Sequence, residues 1–238
     1  MRVLGSILSA VIVTVAVGAM PGQAQQEKAR QASDIRAFVH EVYIEGVPYE
    51  EAIRFDASTA VPILLSMLAD PKEEDYWPNI VITLGMLGDE RAVEPLIKFL
   101  EQDVPGGRLS RSHYIAKTGV LMALGYLINK SGSQKVLTYL RDSVKPNIWK
   151  ERKLGWASPY DGDAEARDLQ LSKTAILGLA LSGHPSAAEA LRSLQKPAKT
   201  EMEKRFQDRV SAVVAEALSA HRTISAEGLA RYDRKRRR

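Results

Sequence analysis

The residue types best suited to metal ligation or to proton transfer near neutral pH are four histidines, His40, His113, His184 and His221. None has a partner three or four residues away that would bind a metal from the same helix face. The chain has no cysteine, which excludes disulfides, zinc–cysteine sites, thiol nucleophiles and lipoprotein acylation. No G-x-S-x-G elbow, phosphate-binding P-loop or G-x-G-x-x-G fingerprint occurs. Ser110 and Ser112 lie beside His113, but closeness along a flexible chain does not make a triad.

Three segments remain as candidate sites. Asp161-Gly162-Asp163-Ala164-Glu165 alternates carboxylates, as calcium loops do. Its sixth and twelfth positions are Ala166 and Ser172, where such a loop needs glycine and a bidentate glutamate. Acids placed at the positive end of a starting helix explain the run better. Residues 104–114 join Gly106-Gly107 to Arg108, Arg111 and His113, a composition that suits either an anion cradle or a plain turn. Residues 144–168 hold Trp149, Trp156 and Tyr160 among Lys145, Lys150, Arg152 and Lys153. Aromatics beside cations in a long loop suit a binding surface. The alternative is that the tryptophans only fasten the loop to the body.

Something must position these segments, and composition points to helices. Of the 238 residues 45% are hydrophobic, only 6% aromatic and 26% charged. Val and Ile form no alternating runs of the kind a sandwich requires. Residues 1–24 have the plan of a secretory signal peptide: Arg2, an apolar stretch over 7–20, then Pro21 and a small-x-small site ending at Ala24. The apolar stretch is shorter than the ~20 residues that span a bilayer comfortably. The expectation is cleavage after Ala24 and a periplasmic or secreted product; an uncleaved anchor is the alternative. Residues 25–32 read as a flexible N-terminus. The net charge of +4 is unevenly placed, because residues 231–238 carry six cations and one anion. Without that end and Arg2 the body is slightly acidic, so no basic face for nucleic acid is indicated. Residues 233–238 read as a basic tail, solvated or drawn to an anionic envelope surface through Arg234–Arg238.

Repetition gives the architecture. Leu84-Gly85-Met86-Leu87-Gly88 precedes Ala92-Val93-Glu94-Pro95-Leu96-Ile97. Leu124-Gly125-Tyr126-Leu127 precedes Val136-Leu137-Thr138-Tyr139-Leu140. Leu179-Ala180-Leu181-Ser182-Gly183 precedes Ala187-Ala188-Glu189-Ala190-Leu191, and Ala60–Leu65 repeats the second half alone. A period of roughly 30–45 residues is that of helical solenoids. Trp77, Ile80, Val81, Leu84 and Leu87 share one helical face, as do Val93, Leu96, Ile97 and Leu100. Gly88 suits a left-handed helix end and Asp89 the next N-cap. Ser186-Ala187-Ala188-Glu189 fits a capping box, and Pro62, Pro78 and Pro95 suit early helix positions. Gly85, Gly125 and Ala180 recur where neighbouring helices must approach closely.

The segment Ile82–Leu100 resembles the short HEAT-like repeat found beside phycobilin lyases. The resemblance is sharp over 77–100, fair over 114–140 and 171–194, and weak over 34–68 and 208–232. It implies an all-α, α-α superhelix that serves as a protein-binding scaffold, and it implies no catalytic residue. His40-Glu41 is also similar to the His-Glu pairs of deoxyhypusine hydroxylase, another HEAT-like protein. That resemblance implies several pairs around iron, and here there is one. The expected solenoid has four to five helix pairs over 33–232. Its helices lie at 33–43, 49–54, 59–69, 77–87, 92–102, 113–129, 133–143, 165–182, 186–195, 200–220 and 224–232, with Ile35, Phe38, Val39 and Val42 inward and an insertion at 144–168.

The expected function is an exported, non-enzymatic scaffold for a protein partner, without nucleic acid, cofactor, metal or transmembrane span after cleavage. Contacts are expected from Glu94, Lys98, Thr138 and Arg141 on second helices, with Glu101 beside them. Trp149, Lys150, Arg152, Trp156 and Tyr160 of the insertion would add to these. An accessory or lyase-type chaperone for a cofactor-bearing partner, and an envelope binder led by the basic tail, are the alternatives.

Overall fold

The structure, a computed structural model, describes residues 21–160 and 163–237. The expected signal core over 7–20, Asp161 and Gly162 of the acidic run, and Arg238 lie outside the described residues. Among the described residues every regular element is helical: α1 Pro21–His40, α2 Tyr49–Ala52, α3 Ala57–Leu68, α4 Trp77–Leu87, α5 Val93–Glu101, α6 Arg111–Ser131, α7 Gln134–Ser143, α8 Ile148–Arg152, α9 Ala164–Ser182, α10 Pro185–Ser193, α11 Glu201–Glu227 and α12 Leu229–Arg236. The only strand-like pairing among them is an isolated bridge between Arg108 and Ala157.

Local signals explain the starts and stops. Asp56, Asp70, Asp89 and Asp163 each accept a backbone N–H from the first turn they precede, which satisfies donors that a helix start leaves open. Gly88 closes α4 with φ 67° and Gly183 closes α9 with φ 57°, a conformation that penalises any side chain with a Cβ. The face Trp77, Ile80, Val81, Leu84 and Leu87 is buried, as the periodicity requires.

Several expectations are corrected. The opening helix starts at Pro21 rather than at residue 33, and so includes residues 25–32. Because α1 stops at His40, Val42 escapes the core and is 89% exposed. The capping box at Ser186 is unused: Pro185 sets the helical φ one residue earlier, and His184 Nδ1 accepts the Ser186 N–H at 3.2 Å. Pro62 lies inside α3, not at its start.

The helices stack in two rows. α1, α4, α6, α9 and α11 lie side by side, the closest pairs being α4–α6, α6–α9 and α9–α11. α3, α5, α7 and α10 form the second row in the clefts of the first. One long apolar core runs between the rows, from Ile35 and Leu64 through Leu96, Leu124 and Leu179 to Val214. No unit could bury its stripe alone, which is why the rows are continuous.

Glycine sets how closely the first row packs. A Cβ on Gly85 would stand 2.4 Å from the Ala123 backbone, and one on Gly125 would stand 2.2 Å from the Gly178 carbonyl oxygen. The third member of the series is therefore Gly178, not Ala180 as expected; its own Cβ would meet the Leu121 carbonyl oxygen at 2.2 Å.

The first row is apolar on a second side as well. Met86, Tyr126, Leu181 and Ile224 come from four successive helices and are covered by Val47, α2 and Leu229 of α12. Tyr49 stacks on Tyr126 with ring centroids 5.9 Å apart. Buried Asp233 accepts the Tyr49 N–H at 3.3 Å and pairs with Arg236 and Arg237. Arg236 donates to the Glu45 carbonyl at 3.0 Å, and Arg237 to those of Gly46 and Val47 at 3.0 and 2.6 Å. The expected free tail is thus a docked helix, because Leu229, Tyr232 and Asp233 give it a face to bury. Its described cations are engaged: Arg234 lies 3.7 Å from Glu50 and Lys235 2.8 Å from Glu227.

Candidate functional site: a groove beside the inserted segment

The inserted segment is fastened down by its tryptophans. Trp149 is 1% exposed and Trp156 2%, so both are packed into the body of the chain rather than standing free at its surface. The Trp156 indole donates to the Leu100 carbonyl at 3.0 Å. Gly155 N–H reaches the Asp103 carboxylate at 2.9 Å, and Ala157 N–H the Gly107 carbonyl at 3.0 Å. Arg167 of α9, itself buried, donates to the Leu154 and Trp156 carbonyls and pairs with Asp168 at 2.7 Å. Asn147 and Lys153, with φ 65° and 52°, bracket α8 and turn the chain sharply at each end of it.

Beneath the segment, Lys117 of α6 is 1% exposed and donates to the carbonyls of Phe99, Leu100 and Gln102 at 2.6, 3.2 and 2.6 Å. These are the orphan acceptors at the end of α5, which an ammonium satisfies well. Burial lowers Lys117 to about 8, with Asp103 opposing, so the side chain is a cation at neutral pH and works as a cap. Next to it, His113 packs edge-on against Trp77 and stacks on Phe99. Burial first, and then the Lys117 charge, lower His113 to about 4, so it is neutral at physiological pH.

The remaining insertion residues separate. Arg152 is held between the Tyr139 and Trp149 rings, 4.2 and 4.5 Å from their centroids, and donates to Ser143 Oγ at 3.0 Å. Its guanidinium is 3.8 Å from Glu101, which accepts the Tyr139 hydroxyl at 2.8 Å. Burial, with Glu101 adding to it, raises the Tyr139 phenol well above its usual range. Arg152 is therefore a strut and not a free contact. Tyr160 is 66% exposed and faces a different hollow, formed with Gly106, Gly107 and Arg108. Glu94, paired with Lys135, and Lys98 lie on α5, while Thr138 and Arg141 are exposed on α7.

Thr138, Arg141, Trp149 and Lys150 do come together. Thr138 and Arg141 line a hollow of about 550 Å³ between α7 and the connection from α10 to α11. Trp149 and Lys150 line a second, of about 420 Å³, between α8, the start of α9 and the start of α11. The two meet at Pro146 and Phe206 and make one groove. Its opposite wall is Leu194, Lys196, Pro197, Lys199, Met202 and Phe206, none of which the sequence reading had selected. The only signal there was a Pro-Lys connection between two apolar residues.

The polar groups elsewhere are structural in arrangement. His221 Nε2 meets the His184 carbonyl at 2.9 Å, and Ser225 Oγ lies 3.3 Å from His221 Nδ1 while donating to the Gly183 carbonyl. That pair ties α11 to the turn between α9 and α10. Among the described residues no three His, Asp or Glu side chains stand within reach of one cation.

Residues 79–102 match the family model described as "PBS lyase HEAT-like repeat". One unit of the chain therefore matches a HEAT-like repeat, and the all-helical stack around it is consistent with a HEAT-like solenoid. No curated protein and no solved structure matches it significantly. The matched unit is α4 with α5, the pair whose turn carries Gly88 and Asp89. The groove lies outside that unit, where the regular spacing is interrupted.

Proposed function

We propose that this chain is an exported, non-catalytic HEAT-like scaffold that binds another protein in the groove between α7–α8 and the start of α11. One observation carries the reading. In the groove two adjoining hollows join an apolar floor to exposed cations, while the polar clusters described above are engaged in caps, struts and the docking of α12. Stacked helices supply a rigid frame on which such a surface is preorganised. The 1–24 leader motivates the export part of the proposal.

The test is affinity capture from envelope extract with the mature chain. Wild-type protein should retain a defined partner that a triple variant Arg141→Ala, Lys196→Ala, Lys199→Ala releases. Deleting the insertion would be uninformative, since it would remove Trp149 and Trp156 from the core. Capture of nothing specific by the wild-type chain would dismiss the scaffold reading. Export is tested by the N-terminal residue of the mature product, expected to be Gln25.

A further inference from the structure

The charges lining the groove are unequally engaged. Every carboxylate has a partner: Asp142 with Lys145 at 2.5 Å, Asp168 with Arg167 at 2.7 Å, Glu201 with Arg205 at 3.4 Å, and Glu165 with Arg209. Glu203 accepts the Lys199 backbone N–H at 2.6 Å. The cations are in surplus. Arg141, Lys150, Lys196 and Lys199 line the groove with no ion pair among the described residues, although the chain outside its C-terminal end is slightly acidic. Between these cations the floor is apolar, formed by Val144, Pro146, Leu194, Met202 and Phe206, and Met202 is 50% exposed. The Trp149 ring walls one end, and its buried indole N–H has no acceptor.

From this arrangement we infer that the groove takes an extended acidic segment of a partner protein, in which carboxylates alternate with apolar side chains. The inference rests on the scaffold reading and adds the chemistry of the occupant. In an extended chain successive side chains point to opposite sides, so one set reaches the floor while the other meets the cations at the rim. A small anion would not need the floor, nor the length given by two hollows joined end to end. A nucleic acid strand would need aromatic platforms for its bases, and among the aromatic rings lining the groove Phe206 is half-buried and Trp149 buried. Four unpaired cations steer a negatively charged segment and disfavour a basic one.

The probe is a fluorescein-labelled twelve-residue peptide of alternating glutamate and leucine, with a lysine–leucine peptide and a single-stranded oligonucleotide as comparisons. Fluorescence anisotropy with the mature chain should show saturable binding of the acidic peptide alone. Raising salt from 50 to 300 mM should weaken it about tenfold, and Arg141→Ala/Lys196→Ala/Lys199→Ala should weaken it about tenfold or more, as expected for several exposed charges acting together. These side chains are at the surface, so the variant should keep the wild-type thermal midpoint. In ¹⁵N spectra the Trp149 indole signal should move on titration, while those of Trp77 and Trp156 stay.

No binding of the acidic peptide overturns the inference. So does equal binding of the lysine peptide or the oligonucleotide, equal binding by the triple variant, or movement of the Trp77 or Trp156 signal instead of Trp149. Any of these, found while wild-type protein still captures a partner from extract, removes the acidic occupant and leaves the scaffold reading intact. Failure of capture while the acidic peptide still binds removes the scaffold reading, and with it the partner protein, and leaves only the preference of the groove for acidic chains.

Discussion

Gly125 is the most telling position for a test of the packing, because α6 carries its own control. An alanine Cβ at Gly125 would lie 2.2 Å from the Gly178 carbonyl oxygen and 2.8 Å from the Gly178 Cα. An ordinary carbon–oxygen contact is about 3.3 Å, so α6 and α9 would have to part by about 1 Å. That movement loosens dispersion contacts along the whole crossing. Overpacking of this kind costs about 3 kcal/mol, and the better helix propensity of alanine returns about 1 kcal/mol, for a net loss of about 2 kcal/mol. Gly119, on the same helix, has only side-chain neighbours at 3.9 and 4.0 Å. There alanine should fit, and its propensity should stabilise by up to about 1 kcal/mol. For a chain of this size, Gly125→Ala should lower the thermal midpoint by about 4–8 °C and Gly119→Ala should raise it by about 2–4 °C. Circular dichroism at 222 nm on the two purified variants measures both. If Gly125→Ala stabilises the protein as Gly119→Ala does, the backbone contact between α6 and α9 is wrong and so is the stacking built on it.

Lys117→Met would keep the apolar stem but leave three carbonyls of the α5 end without a donor; a loss of about 2–4 kcal/mol is expected in urea unfolding, and a neutral result would show that the ammonium is not the cap. Because the folded pKa of His113, about 4, is below its ordinary 6.5, the unfolded chain binds its proton first on acidification. Stability that is fully present above pH 6.5 should therefore fall as the pH drops toward 4, by at most about 2 kcal/mol for a half-buried ring. His113→Phe should flatten that part of the pH profile, and an unchanged slope would assign it to other groups. Asp233→Ala removes the acceptor shared by Tyr49, Arg236 and Arg237; amide exchange should quicken in α12 and residues 45–49 while α6 stays protected, whereas uniform protection would mean that α12 is held by its apolar face alone.

Much of the solenoid was legible one helical turn at a time. The 3.6-residue period, left-handed Gly88 and Asp89 as an N-cap are all settled within a few residues of one another, so they survive in any tertiary setting. Hence α4 was bounded correctly at both ends, and α6, α7 and α9 to within two residues at each end. The site was much less legible. Thr138, Arg141, Trp149 and Lys150 were selected for plausible reasons, but their meeting with Lys196, Lys199 and Phe206 depends on where α11 starts relative to α8.

By itself, then, the sequence determined that the chain is helical, that it repeats, and where most helices begin and end. Tertiary structure alone decided that Trp149 and Trp156 are core, that Lys117 and Arg167 are buried struts, that Gly178 and not Ala180 is the crossing point, and that the basic end docks on residues 45–49. The division has a physical cause. Backbone hydrogen bonds and caps are satisfied locally, whereas burial and charge pairing depend on groups brought together from distant parts of the chain.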